Sequence, residues 1–263
     1  MPLTSGTNVK VTVEDRVAVA TIDHRPVNAL DKQTMEELDR LAAEADGDEG
    51  VKVLILTGAG SLAFVAGADI KALSDITSGE EAARLSSMGQ AVLLRLERLS
   101  KPVIAAINGI CLGGGLELAM ACHLRITGDR ARFGQPEIGL GIVPGWGGTQ
   151  RLPRLIGPAK AAEWILGGEV YSAQEALRLG LVNLVVPQDQ VLKASKDFAR
   201  KLAGKPGVAL REALRLLQAA PHSALEAGLA KEAEAFGRTA ATADCREGVR
   251  AFLEKRQPKF SDR

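Results

Sequence analysis

Aromatic side chains are scarce: two Trp, one Tyr and six Phe make up 3% of 263 residues. So few rings leave little on which nucleic-acid bases could stack. The charge balance removes the rest of such a surface, with 33 Lys and Arg against 32 Asp and Glu. The same balance offers nothing to an anionic membrane. Only three cysteines occur, Cys111, Cys122 and Cys245, without a CxxC or Cys/His spacing. That argues against a disulfide framework and a zinc site, and all three read as small buried hydrophobes. His24, His123 and His222 are too scattered to suggest ligands, so no metal is expected. The longest apolar runs contain Gly or charge and fall short of the ~20 residues a membrane span needs. Met1 to Lys10 lacks an apolar stretch behind a basic start, so no signal peptide is visible. The expectation is a bacterial cytoplasmic protein, or an organelle-matrix protein with its leader absent.

What is present is an ordinary globular chain, 46% hydrophobic and 25% charged, long enough to bury a large core. Val9, Val11 and Val13, then Val17, Val19 and Thr21, alternate around a polar Glu14-Asp15-Arg16 turn and read as a β-hairpin. A helix is expected from about Asp31, with Met35, Leu38, Leu41 and Ala42 on one face. Val51 to Leu56 and Pro102 to Ile107 are continuous apolar runs suited to strands covered on both sides. Leu85 to Leu99 and Leu116 to Cys122 read as helices, and Leu124 to Thr127 as a strand. Strands and helices alternate, which implies a layered α/β core. Ser172 and Glu175 have the spacing of a capping box opening a helix that ends at Gly180. After Gly204-Lys205-Pro206-Gly207 only helices are legible, and Leu210, Leu214, Leu217, Leu225 and Leu229 need a surface to cover them. We therefore divide the chain into residues 1–203 and 204–263. The second part packs on its own core or, as the sharper reading, on another subunit.

Chemistry concentrates in three glycine-rich segments. In Asn108 to Cys122, NGICLGGGLELAMAC, a strand ends, three glycines follow and an apolar helix begins. Backbone N–H groups at Gly113-Gly114-Gly115 can approach a ligand closely, and the helix start favours negative charge. The segment suits an oxyanion, or is a glycine turn that allows tight packing. Glu117 lies in the first turn among Leu116, Leu118, Ala119 and Met120. Buried there, its carboxyl would rise toward the range useful for proton transfer; exposed, it would simply complement the helix dipole. The second carboxylate, Glu137, follows Phe133-Gly134-Gln135-Pro136, and Pro136 predicts an extended turn at this point. Gly139, Gly141, Gly145, Gly147 and Gly148 come next, allowing amides to line a cavity. The third segment is Phe64 to Ile70, FVAGADI, another small-residue turn after a strand. Gly58 to Ala63 fits GxGxxA, but its strand does not open a βαβ unit and no helix is expected over Leu62 to Ala68. A nicotinamide cofactor is therefore not assigned.

Together these segments resemble the crotonase (enoyl-CoA hydratase/isomerase) superfamily. The resemblance rests on RPVNAL (Arg25 to Leu30), FVAGADI and KPVIAAINGICLGGGLELAMAC (Lys101 to Cys122). FGQPEIGLGIVPGWGGTQRLPR (Phe133 to Arg154) and REGVRAFLEKR (Arg246 to Arg256) complete it. It implies an α/β fold, a crotonase-like spiral of ββα units with a helical C-terminal region. Residues 204–263 would then serve trimer contacts and the acyl-CoA pocket, in a homotrimer or a hexamer built as a dimer of trimers.

The resemblance further implies an enoyl-CoA hydratase that adds water across C2=C3 of a trans-2-enoyl-CoA to give a (3S)-3-hydroxyacyl-CoA, in fatty acid or related acyl-CoA degradation. Glu117 would act as base and Glu137 as acid. The N–H groups of Ala68 and Gly114 would form the oxyanion hole, and Gly145 would hold the water. Ala66, Gly67, Ala68, Asp69 and Ile70 resemble the segment that clasps CoA, and Lys255 a lysine near its phosphates. No cofactor is implied, since CoA is part of the substrate, and neither nucleic acid nor membrane is an expected partner.

Two positions depart from the family pattern. Trp146 stands where relatives carry a smaller residue, and either narrows the acyl pocket or packs a loop. His123 replaces a commoner Asp, which reads as a structural variation. An enoyl-CoA isomerase is the runner-up, although it can work with one carboxylate. An RNA-binding relative uses a lysine-rich helix where this chain, from Asp31 to Glu49, has eight acidic residues. A β-methylglutaconyl-CoA hydratase and a non-catalytic scaffold are the remaining alternatives.

Overall fold

The computed structural model describes residues 3–69 and 74–262. The hairpin expected at the start is β1 (Val9–Glu14) and β2 (Val17–Ile22), antiparallel with Glu14 opposite Val17. Helix α1 (Lys32–Gly47) follows, capped by Asp31, whose carboxylate accepts the Thr34 N–H at 2.7 Å. The chain then repeats one pattern. A strand of a large sheet is followed by a short strand of a second sheet and then by a helix. The turns are β3 (Val53–Gly58), β4 (Ala63–Val65), α2 (Gly79–Glu97); then β5 (Val103–Ile107), β6 (Ile110–Leu112), α3 (Gly114–Ala121); then β7 (Leu124–Gly128), β8 (Arg132–Gly134) and α4 (Gly148–Ile156). This is the ββα spiral. The large sheet has the order β1-β2-β3-β5-β7-β10, and the small one β4-β6-β8-β9, with β9 (Tyr171–Ser172) and β10 (Leu184–Val186) added from the later chain.

From β2 to β10 the large sheet is parallel, and its strands are apolar on both faces for that reason. Leu54, Leu56, Val103, Ala105 and Ile107 point into the main core with α1 and α3. Their alternates Val53, Ile55, Ile104 and Ala106 pack against Val191 and Ala199 of α7 (Val191–Ala203). Helix α3 lies inside the molecule and every one of its residues is buried, which accounts for its all-round apolar sequence. Between α4 and α7 run α5 (Pro158–Gly167) and α6 (Ala173–Arg178), the latter capped by Ser172 as its sequence predicts.

The Pro136 expectation is corrected. Residues Pro136–Leu140 form a short 3-10 helix with the proline at its first position, where no N–H is needed. At the first position of a helix a proline costs no hydrogen bond, so it can open one.

The tail folds as α8 (Gly207–Ala219), α9 (Leu225–Ala240) and α10 (Ala243–Leu253). It is tied to the body at its end. Asp262 accepts hydrogen bonds from Lys52 Nζ (2.7 Å), Arg16 Nη1 (2.6 Å) and the Gly207 N–H (2.7 Å), while buried Asp244 accepts the Ser261 and Asp262 amides. Leu210 and Leu214 are half-buried. Leu217, Leu225 and Leu229 remain exposed, as do Phe236, Val249, Phe252 and Leu253. Cys111 and Cys122 are buried as read from the sequence, whereas Cys245 is only half-buried because it lies on α10 beside this uncovered face. Among the described residues no helix is long and apolar enough to cross a membrane.

Candidate active site

Strands β4, β6 and β8 run parallel, with Val65 opposite Cys111 and Leu112 opposite Gly134. Whatever leaves their C-terminal ends therefore emerges side by side, at the ~4.8 Å spacing of paired strands. What leaves them is Ala66 to Asp69, Gly113-Gly114, and Gln135 to Glu137. These are the three segments the sequence singled out.

Each is fixed by main-chain contacts. Leu30 bridges Ala68, donating its N–H to Gly67 O (2.9 Å) and accepting from the Asp69 N–H (3.1 Å). Buried Asn28, at φ +56°, donates to Ala59 O (3.1 Å) and Ala63 O (2.9 Å), which gives the RPVNAL motif its purpose as a brace for this loop. Gly113 has φ +52°, a conformation that resists a side chain, and a β-carbon there would lie 2.8 Å from Glu137 Oε1. A β-carbon on Gly114 would lie 3.3 Å from Ala68 N, so the two predicted oxyanion residues are adjacent. The Gly114 N–H belongs to the first turn of α3 and has no intrahelical acceptor. Among the described residues neither it nor the Ala68 N–H meets a protein acceptor.

Glu117, one turn along α3, is 2% exposed. Its Oε1 accepts the Trp146 and Gly148 N–H groups, each at 2.7 Å. Burial lifts its carboxyl to about 7; the Gly148 amide opposes the rise, the Glu137 charge adds to it, and the Trp146 amide and Arg151 oppose it. Glu137 is half-buried on the 3-10 helix, and burial raises its pKa as well, against its own backbone amide. Gln135 is fully buried; turned so that both groups are satisfied, its amide nitrogen donates to both Glu137 oxygens at 3.1 Å. The Glu137 charge raises the proton affinity of Glu117, so the two titrate as a coupled pair.

The other predicted residues are distributed around this centre. Gly145 directly precedes Trp146, and its carbonyl accepts Ser86 Oγ (2.5 Å) and Gln90 Nε2 (2.8 Å) from α2. Ile70 lies outside the described residues. Lys255 is exposed beyond α10 at φ +53° and makes no ion pair among the described residues. Among the described residues no His, Cys, Asp or Glu cluster is arranged to hold a metal ion. The Trp146 indole is wedged between two helices: a β-carbon on Gly89 would lie 2.2 Å from its Nε1, and one on Gly114 2.7 Å from its Cζ3. His123 is structural, its Nδ1 accepting the Val103 N–H (2.8 Å) and its Nε2 facing Glu97 O (3.0 Å).

Sequence reasoning missed the amides of Trp146 and Gly148, the Gln135 side chain and the Arg151–Glu97 pair. The one signal was the glycine run that includes Gly148, whose amides were read as able to line a cavity.

Residues 12–263 match the sequence profile described as enoyl-CoA hydratase/isomerase. The chain belongs to that family. Within the enoyl-CoA hydratase/isomerase family, a Clostridium acetobutylicum protein named short-chain-enoyl-CoA hydratase is 43% identical over 95% of this chain and 96% of its own. A Syntrophomonas wolfei protein named crotonyl-CoA hydratase is 43% identical over 96% and 97%. The crystal structure of an enoyl-CoA hydratase from Bacillus anthracis superposes with a TM-score of 0.94, at 39% identity, over 98% of this chain and all of that one (100%). Among members of the enoyl-CoA hydratase/isomerase family, this chain thus resembles proteins named as hydratases along its whole described length.

Proposed function

We propose that this chain is an enoyl-CoA hydratase, adding water across C2=C3 of a trans-2-enoyl-CoA to give a 3-hydroxyacyl-CoA of (3S) configuration. The reading is carried by one observation: a buried carboxyl, Glu117, and a half-buried one, Glu137, whose charge raises the proton affinity of the first, lie beside a pair of open main-chain amides. The thioester carbonyl accepts from the Ala68 and Gly114 N–H groups. That draws electron density toward oxygen and leaves C3 electrophilic. Glu117 takes a proton from water as its oxygen bonds to C3, and the C2=C3 electrons move onto the carbonyl oxygen as an enolate. Glu137 then gives its proton to C2 and the carbonyl reforms. Proton exchange between the two carboxyls resets the pair. Gly145 positions the water. Each oxyanion donor is worth about 10²–10³ in rate. An isomerase needs one carboxylate only, so the second favours hydration. Every step uses side chains and amides of this chain, without a metal or redox cofactor.

The CoA moiety lies along Ala66 to Ile70, with Lys255 near its phosphates. The uncovered apolar residues of α8 to α10 support a homotrimer, or a dimer of trimers, because exposed patches of this kind mark interfaces. The protein works in the cytoplasm, a reading its bacterial relatives support. We expect a solution mass of three or six times 27.7 kDa. Phe252→Glu should release smaller species on size exclusion with light scattering, and a monomeric wild type would refute the assembly.

The test of activity is the loss of conjugated-thioester absorbance with trans-2-enoyl-CoAs from C4 to C16. Turnover is expected at C4, declining with length, because the Trp146 indole fills space next to Gly114 and beside the base. Trp146→Ala keeps the backbone amide that Glu117 needs and should shift the preference to longer chains. No turnover at any length would end the proposal, and an unshifted preference would end the role of the indole.

A further inference from the structure

Glu117 is held by the two amides that flank Gly147, and those amides belong to a glycine-rich loop whose one large side chain is the wedged Trp146 indole. Something must keep Pro144 to Gly148 from relaxing. Arg151, on the first turn of α4, lies across that loop. Its Nη1 donates to Trp146 O at 2.8 Å, while its Nε and Nη2 both donate to Glu97 Oε2, at 3.1 and 2.7 Å. The guanidinium lies so close to the loop that a β-carbon on Gly147, which has φ +110°, would sit 2.3 Å from Nη1. Arg151 is largely buried, with a side chain 13% exposed, and Glu97 ends α2, the same helix whose Ser86 and Gln90 hold the Gly145 carbonyl. The loop is thus gripped at both carbonyls that precede Gly147, and each grip leads back to α2.

We infer that Arg151, braced by Glu97, is the positioning residue that holds the Trp146 and Gly148 amides against Glu117. A planar fork is suited to this and an ammonium is not, because donors must reach a carbonyl and a carboxylate in different directions at once. The same cation also favours the ionised form of Glu117. Other charges around this cluster are accounted for. Glu137 faces Glu117 from the 3-10 helix and raises its pKa. Glu97 faces Arg151 from α2. His123 is kept toward its neutral form by burial, and burial pushes the Cys122 thiol up to about 12, so neither supplies a competing charge near neutrality.

The inference rests on the hydratase reading for its kinetic consequence but not for its electrostatic one, and the experiment separates the two. Wild type, Arg151→Gln, Arg151→Lys and Glu97→Gln are compared by steady-state kinetics and by infrared titration of the carboxyl band that Glu117→Gln removes. For Arg151→Gln we expect kcat to fall on the order of 10²-fold, the loss that misplacing a catalytic group produces. KM should change little, and the Glu117 band should titrate at higher pH than in wild type. Arg151→Lys keeps the charge, so its titration stays near wild type while kcat still falls. Glu97→Gln keeps the guanidinium but loosens its anchor, and kcat falls with a smaller change in titration. Should Arg151→Gln and Arg151→Lys both retain wild-type kcat, or should the band of Arg151→Gln not move, the inference is overturned. If wild type hydrates nothing yet the band moves, the strut stands and the hydratase reading falls.

Discussion

Glu137→Gln is expected to hydrate crotonyl-CoA about 10³-fold more slowly than wild type, the share of rate that a positioned general acid supplies. The amide keeps the shape of the side chain and can still hydrogen-bond Gln135, but it has no proton to deliver to C2. The residue is half-buried, and its fully buried partner Gln135 keeps an acceptor in the amide. The assembled mass should therefore match wild type, and the melting temperature should not fall, because burial already disfavours the Glu137 charge. No second acid replaces Glu137, since Glu117, the nearby buried carboxyl, is engaged with the water. A variant that hydrates crotonyl-CoA at the wild-type rate would remove Glu137 from the chemistry altogether.

Glu117→Gln should lose activity by about the same factor and should gain stability. The sign follows from the protonation equilibrium. In the folded protein burial raises the Glu117 carboxyl from an ordinary 4.5 to about 7, so the fold binds this proton more tightly than the unfolded chain does. Its favourable contribution is full below pH 4.5 and is lost as pH climbs through about 7. At 1.36 kcal/mol per pH unit, the ionised residue destabilises the native state by about 3 kcal/mol above that window. Replacing it with a neutral isostere should raise the melting temperature at pH 8 by on the order of 5 °C and leave it unchanged at pH 4. The kcat/KM profile of wild type should be bell-shaped, because the pair needs one proton. Its acid limb, where the base Glu117 takes up a proton, should lie near pH 7 and disappear in Glu117→Gln. A variant that melts at the wild-type temperature at both pH values would refute the buried-charge account.

The strands and helices that were legible in the sequence are those whose burial is one-sided or complete. Met35, Leu38, Leu41 and Ala42 announce the inward face of α1, and the unbroken apolar runs of β3 and β5 announce strands covered twice. Of the two proposed catalytic carboxylates, Glu117 stood out in the sequence as an acid in a helix that is otherwise entirely apolar. The short helix at Pro136 was not legible, since a proline that opens a helix and one that prevents it look alike until the next turn is seen. Nor was the Arg151–Glu97 contact. Those residues are 54 apart in the chain, so only the fold, which brings the end of α2 to the start of α4, reveals them as partners. The uncovered leucines of the tail fall between these cases: the need for a partner is written in the sequence, its identity is not.

The alignment of β4, β6 and β8 divides labour between main chain and side chain. In the proposed mechanism the carbonyl is gripped by peptide groups whose separation comes from strand spacing, which no point substitution of a side chain alters. Acid and base, by contrast, are single side chains. A lineage built this way can exchange one carboxylate and arrive at a different reaction without losing its hold on the enolate. That freedom offers a physical reason for one family to carry both hydratase and isomerase in its description.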